Sequence, residues 1–311
     1  MRNFKLIAAT IIVATIMVLL PLAALGGIDS DDLPSTSTWY FHADLVEMRS
    51  SDGGKSLWVW LDDEVFDDVE DDAGIDLSTE ADRITAYSTP ESGVVFILEG
   101  DLSQETKDKT LAAAASAERF DTLKHKGKTY YYVEGDDNVD VDVDGIDNQG
   151  YFSFAVKNKL IAASSEDQLK ALIDNGGKIT GSKSHDGALF VLTAESSLIQ
   201  AGMDTEGFED EDEEGGFKSN ILRNTKHAAL MIADVAGQIA IEAQLITDEP
   251  EAAESMASIV RGLLALTAFS DDMDPEISNF LRSTKVNVTD NMLKVSVTVS
   301  PEAVVMALDD A

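Results

Sequence analysis

Val286-Asn-Val-Thr-Asp-Asn-Met-Leu-Lys-Val-Ser-Val-Thr-Val299 decides the fold. Val295, Val297 and Val299 alternate with Ser296 and Thr298, which is the two-residue period of a half-buried strand. Asp290-Asn291 breaks the stretch where a turn fits, so Val286–Thr289 and Leu293–Val299 read as a hairpin. Ser300-Pro301 then opens a helix, with Ser as N-cap and Pro at the first helical position. Upstream, Ala228–Val235 and Gln238–Ile246 form a second hairpin around Ala236-Gly237. Between the hairpins, Met256, Ile259, Val260, Leu263 and Leu266 mark one face of a helix spanning about Glu249 to Phe269.

The N-terminal half follows the same grammar. Trp39–Leu45 reads as a strand leading into a helix with apolar positions Leu57, Trp60, Leu61 and Val65, stopped near Gly74. Arg83–Ser88 and Gly93–Glu99 flank the turn Thr89-Pro-Glu-Ser92, and a helix follows from Ser103. Phe120–Lys126 with Lys128–Glu134, and Tyr151–Val156 with Leu160–Ala163, give two more hairpins before a helix at Ser165–Ile173. Hairpins dominate and helices separate pairs of strands. The predicted class is therefore α+β, with antiparallel sheet and helices packed on one face, not a doubly wound parallel fold.

Two landmarks repeat. Trp39-Tyr-Phe-His-Ala-Asp44 aligns with Phe190-Val-Leu-Thr-Ala-Glu195, and Ser164–Leu172 aligns with Ser300–Leu308. The chain thus divides into two related units, residues 34–180 and 186–311, the first carrying an acidic loop insert around Gly135–Gly150. Leu33-Pro-Ser-Thr-Ser-Thr-Trp-Tyr-Phe-His-Ala-Asp44, Gly74-Ile-Asp76 and the terminal hairpin-plus-helix resemble uncharacterised secreted bacterial proteins built from duplicated α+β units. That resemblance implies a fold and no activity.

Residues 1–27 set the expected compartment. Arg2 and Lys5 precede an apolar run from Leu6 to Leu20, Pro21 breaks it, and Ala23, Ala24, Gly26 and Gly27 follow. This is the order of a signal peptide; its length also suits an uncleaved N-terminal anchor. Either reading puts the remainder outside the cytoplasm, periplasmic or secreted, with the membrane a partner only if the segment is retained.

The 311 residues carry 58 acids against 23 Lys and Arg, a formal net charge of −35. Such a chain repels nucleic-acid phosphates, and no concentrated basic patch stands out. With 44% hydrophobic residues it can still fill a core, and with no Cys it excludes disulfides and thiol chemistry.

Candidate chemistry is sparse. Asp140-Val-Asp142-Val-Asp144-Gly145 matches the first half of a calcium loop, so Asp140, Asp142 and Asp144 are the candidate metal ligands, for calcium. The closing Glu would fall on Tyr151, which cannot supply it, and a solvated acidic loop fits the same residues. Asp62–Asp72 and Glu209–Glu214 are further acidic runs. His42, His125, His185 and His227 show no metal-ligand spacing, and His42 lies in an apolar strand. No nucleophile elbow, phosphate loop or dinucleotide fingerprint occurs, so no catalytic residue is named. Trp58 and Trp60 fall on different helix faces, one expected in the core and one outside. The leading expectation is an extracytoplasmic, non-catalytic binding or structural protein with an envelope or extracellular protein partner. A secreted hydrolase using a carboxylate pair and a calcium-dependent adhesion or scaffold component are the alternatives.

Overall fold

A computed structural model describes residues 37–66, 76–89, 93–135, 149–179, 188–195, 225–267 and 282–309. The alternating stretches become strands β1 Trp39–Asp44, β2 Arg83–Thr89, β3 Gly93–Glu99, β4 Arg119–His125, β5 Lys128–Glu134 and β6 Gln149–Ser153. They continue with β7 Lys159–Ala163, β8 Ala188–Glu195, β9 Thr225–Val235, β10 Gln238–Thr247, β11 Lys285–Thr289 and β12 Met292–Val299. All join one antiparallel sheet of twelve strands in the order β11-β12-β10-β9-β8-β1-β2-β3-β7-β6-β5-β4. Two-residue turns with positive φ at both centres, Lys126-Gly127 and Ala236-Gly237, close two of its hairpins. Their backbone twist matches that of the flanking strands, which is why Gly sits second in each.

The helices are α1 Leu45–Ser50, α2 Gly54–Leu61 with a π-helical turn Asp62–Phe66, and α3 Leu77–Glu80. After them come α4 Gln104–Ala114, α5 Glu166–Asp174, α6 Pro250–Thr267 and α7 Pro301–Asp309. Ser300 Oγ, the expected N-cap, accepts from the Ala303 amide at 3.3 Å, and two further helix starts are capped. Ser103 Oγ accepts from the Thr106 amide at 3.1 Å, and Asp44 Oδ1 accepts from the Glu47 amide at 2.9 Å.

The α+β antiparallel class is the one observed. The two halves of the chain meet where β1 pairs with β8, and Phe41 stands directly opposite Leu192. From that pair the ladder runs outward through Ala86, Phe96 and Ala162 on one side. On the other it runs through Leu230, Ala243 and Val295. Counted from Phe41 and Leu192, β2 corresponds to β9, β3 to β10 and β7 to β12.

Strand alternation divides the side chains between two faces. On the first, Phe41, Leu98, Ile239 and Leu293 pack with Leu45 and Met48 of α1, Leu57 of α2, Met256 of α6 and Val304 of α7 in one cluster shared by both halves. One helix departs from the expected one-sided packing. Leu169, Leu172 and Ile173 of α5 join Val95, Ile97, Tyr130 and Ile161 in a cluster on the opposite face. At nine residues α5 is shorter than helices stable alone in water, and these three side chains, each worth about 1.5–3 kcal/mol when buried, hold it down.

The α1–α2 connection ties the halves together. The Gly53 amide donates to Asp234 Oδ2 at 2.5 Å, while the Gly237 amide donates to Oδ1 at 2.9 Å. A Cβ on Gly53 would lie 2.7 Å from that same Oδ2, so the close approach requires glycine.

Candidate binding surface

Asp140, Asp142 and Asp144 lie outside the described residues, as do His185, Glu209–Glu214 and residues 1–27. Tyr151, the position of a calcium loop's closing ligand, sits within β6 opposite Tyr132 and Ala163. Its ring packs 5.0 Å from that of Tyr132. The remaining histidines are separate. His42 Nδ1 lies 2.8 Å from Thr85 Oγ1 across the β1–β2 ladder. His227 faces Glu195 across β8–β9; burial pushes its pKa down and Glu195 only partly opposes this. Trp58 and Trp60 are both half-buried against the first-face core, not divided between inside and outside. Arg49 stacks 4.9 Å from the Trp58 ring.

The described carboxylates with lowered pKa are engaged in structural contacts. At Asp76 burial raises the pKa, but hydrogen bonds from Ser78 and Thr79 outweigh it, and the group caps α3. At Glu80 burial is again opposed, here by Ser103 and Thr106 at the start of α4. Glu166 is lowered by the Tyr130 hydroxyl, at 2.6 Å, and then by Lys170.

Two surfaces differ in kind from the rest. The first lies on the second face. Val95 and Ile97 of β3, with Ile161 and Ala163 of β7, are apolar in the α5 cluster. Their ladder counterparts are Glu242 and Gln244 of β10 and Lys294 and Ser296 of β12. Glu242 is fully buried. Its Oε1 accepts from Gln244 Nε2 at 2.7 Å, and its Oε2 lies 2.5 Å from Lys294 Nζ. Beyond that ion pair, which lacks hydrogen-bond alignment, Oε2 has no donor. An ion pair thus stands where the other half has packed hydrocarbon.

The second surface is the sheet end at the C-terminus of α5. Three connections converge there: the β4–β5 turn with Lys124, His125, Lys126 and Lys128, the β6–β7 turn with Lys157, and the segment after α5 with Lys178. Lys126 Nζ reaches Asp174 Oδ2 at 2.7 Å and His125 Nε2 reaches Oδ1 at 3.1 Å. Lys126 first and His125 second hold the Asp174 pKa down. Lys128 Nζ donates to the Ile173 carbonyl at 3.0 Å, and Lys159 Nζ to that of Gly177 at 3.0 Å. These cations counter the negative end of the α5 dipole. Lys124, Lys157 and Lys178 are exposed, and among the described residues none meets an acid. The sequence does contain the signal, Lys124-His-Lys-Gly-Lys128 without an acid, but it reads as a hairpin turn. Only the topology brings Lys157 and Lys178 to it.

No protein family matches the chain, and no curated protein matches it. Among solved structures it is similar to TP0453 in crystal form III, at 9% identity and TM-score 0.44 over 92% of this chain and 99% of that one. Crystal form IV of TP0453 gives 9% identity and TM-score 0.46 over 88% and 92%. A likeness this distant assigns no activity.

Proposed function

We propose that the protein is an extracytoplasmic, non-catalytic binding protein that acts through its surfaces. Its two related units, residues 34–180 and 186–311, serve as halves of one sheet. The observation that supports this reading is the use made of the ionisable groups. Described carboxylates with displaced pKa values are displaced downward, and they cap α3 and α4 or secure α5. A general acid at neutral pH needs the opposite displacement. Against an excess of carboxylates, Lys124, Lys157 and Lys178 gather at one end of the molecule without meeting an acid among the described residues, an arrangement suited to docking. The partner belongs to the envelope or extracellular space, following the export pattern at residues 1–27.

Purified chain lacking residues 1–27, assayed with glycosidase, esterase, peptidase and phosphatase substrates, gives background turnover on this reading. Robust turnover abolished by changing one Asp or Glu to its amide would overturn it.

A further inference from the structure

We infer that the lysine-bearing end beside α5 docks a linear polyanion, the charged groups of an extracellular polysaccharide; this rests on the non-catalytic binding reading. Six lysines gather at that end, Lys126, Lys128, Lys157, Lys159 and Lys178 with Lys124, which alternation from Leu123 of the α5 cluster turns to the first face, in a chain whose formal charge is −35. The acids that meet them are Asp174, bound by Lys126, and Glu99, bound by Lys159 at 2.5 Å. Asp101 joins them at this end, because the Gly100 amide donates to the Asn158 carbonyl of the β6–β7 turn at 2.9 Å, and the six lysines outnumber these three carboxylates.

The distribution of the lysines selects the ligand's shape. They are single point charges on three separate connections, with no guanidinium fork and no cage of convergent donors, so a lone small anion would touch one or two of them. Neighbouring strands are about 4.7–4.9 Å apart, so the ends of β4 to β7 span roughly 15 Å. A chain with anionic groups repeated at short intervals can meet all three connections together.

The net charge selects its width. Fields are screened within about 8 Å at physiological ionic strength, so a narrow polymer seated at this end is shielded from the remaining carboxylates. A broad duplex or a flat bilayer presents more charge to them. At low salt the overall repulsion reaches further, while at high salt the lysine contacts are screened. Affinity therefore passes through a maximum with ionic strength, unlike the monotonic fall of a uniformly basic protein.

The test uses the chain without residues 1–27 and fluorescent dextran sulfate, with neutral dextran, duplex DNA and phosphatidylglycerol vesicles as further arms, from 10 mM to 1 M NaCl. Binding to dextran sulfate alone, strongest at intermediate salt, is expected. The triple variant Lys124→Glu, Lys157→Glu, Lys178→Glu binds about tenfold more weakly, the order expected from reversing three polymer contacts. The control Lys55→Glu, Lys109→Glu, Lys226→Glu makes the same net-charge change away from this end and changes affinity less than about threefold. Both variants melt with the parent, which separates docking from folding. Equal loss in the two triples, equal capture of DNA or vesicles, or no binding at any salt would overturn the inference. Enzymatic turnover would instead overturn the non-catalytic reading and leave a positive dextran sulfate result standing.

Discussion

Replacing Lys294 by Met tests the second-face ion pair and the ladder correspondence together. Glu242 is fully buried, while the Lys294 side chain is 27% exposed. Removing Lys294 leaves a buried carboxylate with Gln244 as its remaining hydrogen-bond donor. Breaking a buried pair in this way costs about 3–5 kcal/mol, and the partial exposure of Lys294 favours the lower end. With an unfolding entropy of about 2.1 cal/mol/K per residue, a chain of 311 residues shifts by about 1.5 °C per kcal/mol, so the melting temperature should fall by roughly 5–8 °C. The ladder also supplies the repair. Val95 and Ile161 occupy the corresponding places in the other half, so Glu242→Val with Lys294→Ile installs residues already compatible with this backbone. Such exchanges of an ion pair for hydrocarbon are often neutral or stabilising by about 1–4 kcal/mol. The double variant should melt at or above the parent, although each single change destabilises. Thermal melts and urea titrations of the parent, Glu242→Val, Lys294→Ile and the double variant measure the cycle, with Lys294→Met as a second reading of the broken pair. Additive losses in the double variant, or a Lys294→Met change of less than about 0.5 kcal/mol against the expected 3–5, would refute the reasoning.

Gly53→Ala forces a Cβ to within 2.7 Å of Asp234 Oδ2 and 3.1 Å of Ile239 Cδ1, and should lower stability by about 1–3 kcal/mol in a urea titration. His227 binds its proton less readily when folded, chiefly because it is buried. Its contribution to stability is present above the unfolded value of about 6.5 and is lost as pH falls through the lower folded value, so His227→Gln should lessen the drop in melting temperature between about pH 7 and pH 5. The net charge of −35 predicts a melting temperature that rises from about 10 mM to about 0.5 M NaCl. At fixed ionic strength, calcium stabilisation that magnesium reproduces would mark screening, and stabilisation by calcium alone would mark a built site at Asp140–Asp144.

Strands were legible where period-two alternation met a turn residue, as in β11–β12 and β9–β10. The cap at Ser300 was legible because the hydroxyl-to-amide geometry is local. The side of the sheet chosen by a helix was not. Ser164 and Ser300 align as helix starts, yet in the ladder the first strand ends at Ala163 while β12 continues through Val297, Thr298 and Val299 beyond the corresponding point. Three extra residues are an odd number, so the chain leaves the sheet facing the other way. Hence α5 lands on the second face and α7 on the first. The lysine end was hidden for a different reason. Its residues come from connections about 30 and 20 positions apart, and only the order β7-β6-β5-β4 places them together.

The junction of the halves at β1–β8 underlies the ladder correspondence and the core shared by both halves. The chain has no Cys, so an introduced pair reports without interference. His42 and Val191 are direct partners in that junction. Antiparallel partners have Cα atoms about 4.5–5.5 Å apart, within disulfide range. Mild oxidation of the His42→Cys, Val191→Cys variant should yield an internal disulfide, seen by mass spectrometry and by mobility on a non-reducing gel. The pair shifted by one residue, His42→Cys with Leu192→Cys, points to opposite faces and should remain reduced. Equal cross-linking of both pairs, or preference for the shifted one, would contradict the account.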